Sequence, residues 1–122
     1  MRQNIINKTG QTYSKPWGTY KTIEQGLGFQ AKIIHVFPQG SLSLQKHFKR
    51  QEHWVVIEGV ATITVNQVTR DYQVNEYVYI PKKIIHRLEN KTNKSVTVIE
   101  IQIGSYLGED DIIRLDDIYQ RT

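Results

Sequence analysis

The feature that most limits the fold is a succession of short β-prone runs, each closed by turn residues, with no convincing helical period between residues 15 and 105. Strand character appears over 20–23, 29–37, 42–49, 54–57, 61–65, 72–80, 84–88 and 95–103. The runs are separated by Glu24-Gln25-Gly26-Leu27-Gly28, Pro38-Gln39-Gly40, Gly59, Asn66-Gln67 and the stretch 90–93. Runs at this even spacing predict an all-β chain, an antiparallel sandwich or barrel. Residues 110–117 are read as strand and extended loop. The polar, uneven start predicts an N-terminal arm over 1–13 and a single domain over 14–122.

Composition sets outer bounds. A chain of 122 residues, 39% hydrophobic and 23% charged, suits one folded domain with one core. It has no apolar run of about 18 residues, so no membrane partner is expected. Its first residues are too polar for a secretory signal, and it has no cysteine, so a cytoplasmic location is expected. The net charge is +4 and the pI about 9.3. With no basic helix, zinc-finger spacing or aromatic RNA-binding motif, nucleic acid is not expected, and a phosphorylated small molecule is the better match.

Alternation carries the chemistry. Over 42–49, Ser43, Gln45, His47 and Lys49 share one face, and Leu42, Leu44, Lys46 and Phe48 the other. The polar face suits the wet interior of a small barrel. The apolar face is expected to pack on another layer or a partner subunit. Glu52 follows His47 by five residues, and His86 comes after Pro81. Two imidazoles, a carboxylate and an amide oxygen form a ligand set for zinc, cobalt, manganese or ferrous iron, with positions left for water or substrate.

As patterns these read Gln-x-His-x4-Glu-x6-Gly from Gln45 to Gly59, and Pro-x4-His-x3-Asn from Pro81 to Asn90. They resemble the two motifs of the cupins, antiparallel jelly-roll barrels built around a metal, where the first ligand is usually His. The flanking text narrows the match: Lys15-Pro16-Trp17-Gly18-Thr19-Tyr20, Leu42-Ser43-Leu44-Gln45, Glu52-His53-Trp54, Ile80-Pro81, His86-Arg87-Leu88-Glu89-Asn90 and the run from Gly104 to Ile112. Together these closely resemble the type II mannose-6-phosphate isomerases over roughly residues 14–121. In many bacteria that domain is fused behind a mannose-1-phosphate guanylyltransferase. The chain lacks a Gly-rich nucleotide loop, so guanylyl transfer is not expected.

The resemblance implies a metal held by Gln45, His47, Glu52 and His86, and interconversion of mannose 6-phosphate and fructose 6-phosphate for GDP-mannose synthesis. It implies catalytic roles for Arg50, Glu52, Arg114 and Arg121. Substrate contacts would come from Lys15, Lys49, Arg50, Asn75, Arg114 and Arg121, with the tail folding over the barrel mouth. Arginine suits phosphate because its planar fork binds bidentately. Lys15 stands where the family usually has Arg, and Phe48 and Lys49 where it commonly has two histidines. The proton-transferring base stays open between a ligand carboxylate, a bound water, a lysine and a tail arginine. A homodimer is expected, with a separate guanylyltransferase as a further partner. Two other functions stay in play: a non-catalytic sugar-phosphate or nucleotide-sugar binding module, and a metal-dependent dioxygenase, against which Gln45 counts. Trp17 and Trp54 are read as core, His35 as a sheet residue, and His53 as facing away from the ligands. The run Glu109-Asp110-Asp111 is read as a turn.

Overall fold

The computed structural model describes residues 7–108 and 110–119. Among them are eleven strands and no helix: β1 (Thr12–Lys15), β2 (Gly18–Gly26), β3 (Phe29–Val36), β4 (Leu44–His47), β5 (Arg50–Glu58), β6 (Ala61–Val65), β7 (Val68–Tyr72), β8 (Tyr77–Ile80), β9 (His86–Glu89), β10 (Val96–Gly104) and β11 (Ile112–Asp116). They form two antiparallel sheets, ordered β1-β2-β3-β10-β5-β8 and β11-β4-β9-β6-β7. This is the expected all-β jelly-roll architecture. No helix among the described residues is long and apolar enough to cross a membrane.

Three differences from the expected runs are visible in the hydrogen bonding and packing. The run 72–80 is two strands, because Gln73–Glu76 turns: Glu76 N–H donates to Gln73 O (3.0 Å), and Asn75 has a left-handed φ of 79°. The run 42–49 is cut short at His47. Beyond it, Asp111 accepts from the amides of Phe48 (3.3 Å) and Lys49 (2.9 Å), and both side chains are exposed. Leu42 precedes the strand and packs against the core rather than outward. Residues 7–13 are tied down: Asn7 is buried and accepts from Tyr20 Oη (3.0 Å), and β1 pairs with β2.

Register divides the interior into a dry half and a wet half. One inward row of the six-stranded sheet is Tyr20, Ile34, Val98 and Val56, all buried. With Ile63, Leu88, Ala61 and Trp17 it makes the apolar core. The next row is Thr22, Lys32, Glu100 and Trp54; the one after is Gln30, Gln102, Glu52 and Ile80. A barrel interior that switches from aliphatic to polar along each strand has its apolar half for stability and its polar half for a site. The edge β11 lies along β4, placing Ile112 opposite His47 and Arg114 opposite Gln45. The tail therefore returns to the strand that carries the first motif.

Candidate metal centre

Three elements bring the ligand side chains together. β4 supplies His47, β5 supplies Glu52 from the facing sheet, and β9 supplies His86, which follows the loop anchored by Lys83 N–H to His47 O (2.7 Å). One donor atom from each of His47, Glu52 and His86 lies within 4.8 Å of the others, and all three residues are buried. His47 Nδ1 is 3.4 Å from Glu52 Oε2, and His86 Nε2 is 3.8 Å from Glu52 Oε1. The two imidazoles are stacked, their ring centres 5.2 Å apart and their planes inclined by 30°. Gln45 is directly opposite His86 in the β4–β9 pairing, so both point to the same face. Its Nε2 donates to Ser43 Oγ (3.0 Å), leaving Oε1 as the atom it offers the site.

This donor set fits a divalent cation. His86 Nδ1 lies 2.9 Å from the carbonyl of Ile84; donation there leaves the Nε2 lone pair facing Glu52, the arrangement in which a ligand histidine is oriented from behind. The carboxylate is anchored on both oxygens: Trp54 Nε1 donates to Oε1 (2.9 Å) and Arg50 Nε to Oε2 (2.7 Å). Arg50 Nη2 also lies 2.8 Å from His47 Nε2. The guanidinium thus bridges Glu52 and His47. Trp54 is both core and support, its ring centre 5.5 Å from that of His86 in an edge-on arrangement.

The electrostatics follow from this burial. Desolvation alone would raise the Glu52 carboxyl, but Arg50, then His47 and His86, with a hydrogen bond from Glu100, hold it well below the usual carboxylate range. Glu100 goes the other way. Burial first, then the charge of Glu52 and the hydrogen bond to it, push its carboxyl up to about 8, against the opposing pull of Lys32 and Arg50. One of the two facing carboxyls is held ionised and the other protonated.

The polar network around Glu100 was not singled out from the sequence. Thr22 Oγ1 donates to Gln30 Oε1 (3.4 Å), Gln30 Nε2 to Gln102 Oε1 (2.7 Å), and Gln102 Nε2 to Glu100 Oε1 (2.8 Å). Trp54 Nε1 closes the chain at Glu100 Oε2 (3.1 Å). Lys32 is buried beside it, its Nζ 4.6 Å from the Tyr20 ring centre. The signal was present in 29–37 and 95–103, where Gln30, Lys32, Glu100 and Gln102 fall on the same parity as the buried aliphatics.

The other expected site residues are spread. Arg114 is half-buried beside Gln45, and its Nε is buried with no hydrogen-bond partner among the described residues. Lys49 is exposed at the rim, its Nζ 5.3 Å from the Tyr106 ring centre. Lys15 ends β1 with its Nζ 5.9 Å from the Tyr20 ring centre. Asn75 is exposed in the turn before β8, its N–H on Val56 O (2.8 Å), four residues along β5 from Glu52. The structure does not bring it to the ligand cluster. Arg121 lies outside the described residues, as does Glu109. Asn90 of the second motif is structural: its buried Nδ2 donates to the carbonyls of Val36, Phe37 and Lys94. His53 is exposed on the opposite face against Tyr79, and His35 Nδ1 pairs with Thr97 Oγ1 (2.9 Å).

Comparison with known proteins gives this arrangement a family. Residues 2–117 match the family described as mannose-6-phosphate isomerase C-terminal. The chain belongs to that family. It is 47% identical over 108 residues to the alginate biosynthesis protein AlgA of Pseudomonas aeruginosa, covering 88% of this chain and 22% of that protein. It is 46% identical to the xanthan biosynthesis protein XanB of Xanthomonas campestris, covering 88% and 23%. A mannose-1-phosphate guanylyltransferase of Sinorhizobium fredii is 44% identical over 106 residues, covering 87% and 21%. The chain thus spans about a quarter or less of the length of these relatives. In fold it is similar to an oxalate decarboxylase of Lactobacillus farciminis (TM-score 0.73, 19% identity, 86% of this chain and 33% of that one). It is also similar to a cupin-2 domain protein of Rhodospirillum rubrum (TM-score 0.68, 14% identity, 87% and 85%). The architecture is that of the cupins.

Proposed function

We propose that this mannose-6-phosphate isomerase C-terminal family member is itself a metal-dependent aldose–ketose isomerase. It would interconvert mannose 6-phosphate and fructose 6-phosphate in the cytoplasm and feed GDP-mannose synthesis beside a guanylyltransferase. The observation that carries this reading is the buried His47–Glu52–His86 cluster, with Gln45 facing it, in a chain of this family.

Gln45, His47, Glu52 and His86 would hold the cation. Once bound, it would acidify the sugar's C2 proton and offset the charge that develops on O1 and O2. Glu52 has both oxygens engaged by Trp54 and Arg50, so it serves as a fixed anchor rather than a mobile proton carrier. Arg50 orients Glu52 and balances its charge. Arg114, half-buried beside Gln45, is suited to a substrate oxygen or the phosphate. Lys49 and Lys15 offer charge without a fork, and Arg121 keeps its assigned substrate role from the tail. Asn75, placed at a turn, is given no role in the reaction.

The test incubates the protein with fructose 6-phosphate and zinc, cobalt, manganese or ferrous iron, and reads mannose 6-phosphate in a coupled assay. Turnover that ends on chelation is expected. Sugar-phosphate binding without turnover would replace the isomerase with a binding module.

A further inference from the structure

The chain changes sheets at a corner of two residues. It leaves the five-stranded sheet at His47, where β4 ends, and enters the six-stranded sheet at Arg50, where β5 begins. His47 is paired with Ile112 and Arg50 with Gly104, so Phe48 and Lys49 between them fall outside both ladders. Both of their side chains are exposed, so packing gives the corner little hold. The grip is on the backbone instead. Asp111 Oδ1 accepts from Phe48 N–H (3.3 Å) and Oδ2 from Lys49 N–H (2.9 Å), from 63 and 62 residues further along the chain. Ser105 N–H donates to Lys49 O (3.2 Å). One carboxylate thus takes two consecutive amides, and hydrogen bonds to a charged acceptor are stronger than neutral ones. Asp111 is itself set by its own N–H on Gly108 O (3.2 Å) and by β11, which starts at the next residue.

The corner lies between two groups on which the metal centre depends. His47, a donor of the cluster, comes immediately before the captured amides. Arg50 comes immediately after them, its Nε on Glu52 Oε2 (2.7 Å) and its Nη2 2.8 Å from His47 Nε2. A rotation of the corner backbone would therefore move the imidazole and the guanidinium together relative to Glu52. We propose that Asp111 is a positioning residue of the metal centre: by pinning the amides of Phe48 and Lys49 it fixes where His47 and Arg50 stand against Glu52. Asp111 touches neither cation nor substrate in this role; it acts through the backbone. The role rests on the metal-centre reading of the site, not on isomerase turnover. It ties the ligand strand β4 to the segment that leads into β11, so displacing Asp111 loosens His47.

The test compares wild type with Asp111→Asn, which keeps one acceptor oxygen, and Asp111→Ala, which keeps none. Thr97→Val is the control. It removes a buried hydroxyl bonded to Glu58 Oε1 (2.6 Å), at the other end of β5 from the ligands. Chelator-stripped proteins are titrated with cobalt by calorimetry, and the visible absorption of the cobalt-saturated proteins is recorded. Asp111→Ala is expected to weaken cobalt binding about tenfold or more and to change the cobalt absorption bands, with Asp111→Asn falling between it and wild type. Thr97→Val is expected to lower Tm while keeping wild-type affinity and bands. Wild-type affinity and bands in Asp111→Ala overturn the role of Asp111 alone. An equal loss of affinity in Thr97→Val also overturns it, because general loosening then accounts for the effect. A wild type that takes up neither cobalt nor zinc overturns the metal centre and this role together. Should Asp111→Ala not fold, wild-type affinity and bands in Asp111→Asn overturn the role.

Discussion

At the scale of single residues, the site depends on side chains that hold other side chains. Trp54 gives one N–H to two buried carboxyls, Glu52 and Glu100. Phenylalanine fills most of the same space without that donor. Trp54→Phe is expected to lower stability by about 1–3 kcal/mol in urea unfolding, because buried acceptors lose their donor. It should also weaken metal binding about tenfold by calorimetric titration, because Glu52 is no longer oriented from behind. Glu100 makes a prediction with a sign. Its folded carboxyl titrates at about 8, above the unfolded value of about 4.3, so the folded state holds a proton that the unfolded state has released. Its stabilising contribution is full below the unfolded value and is lost as pH rises through about 8. In chelator-treated protein, Glu100→Gln is expected to flatten the fall in Tm between about pH 5 and about pH 8. An equally steep fall in the variant would refute the assignment. The ligands themselves were legible in the sequence, because a motif records spacing and the fold converts spacing into proximity. The Arg50 contacts were not, since nothing in Lys49-Arg50-Gln51 says that the guanidinium turns inward to bridge Glu52 and His47.

At the scale of elements, alternation predicted most strands, and two exceptions have different causes. Val74 made 72–80 look like one run, yet Val74 is exposed and Asn75 takes a left-handed conformation, so the chain turns there. The 42–49 run ended early because Asp111, far along the chain, captures the amides of Phe48 and Lys49. The first event is local in sequence; the second is not. The closeness of β10 to the start of β5 is another such feature. A Cβ on Gly104 would collide with Lys49 O and come within 2.7 Å of Arg50 Cα. Gly104→Ala is therefore expected to push β5 away at Arg50, lowering stability by about 1–3 kcal/mol and weakening metal binding with it. An alanine variant with wild-type Tm and metal affinity would show that this approach does not matter.

At the scale of the molecule, the barrel is a gradient. Its aliphatic end holds the two sheets together, and its polar end gathers two carboxyls, two imidazoles, a lysine and an arginine. A buried set of charges is a poor way to gain stability, because desolvation offsets most of the attraction. Such a set is a good way to bind a cation, and the fold class and the ligand triad agree on that use. The pairing of rows across β3, β10 and β5 could not be read from any one segment, since it depends on register between strands distant in sequence. The measurement that bears most directly on the metal centre is calorimetric titration of chelator-stripped protein with cobalt or zinc, with metal content checked by elemental analysis. One cation per chain is expected in the wild type, with binding lost in Glu52→Gln and in His86→Ala. Metal uptake unchanged by either substitution, or none in a folded wild type, would contradict the account.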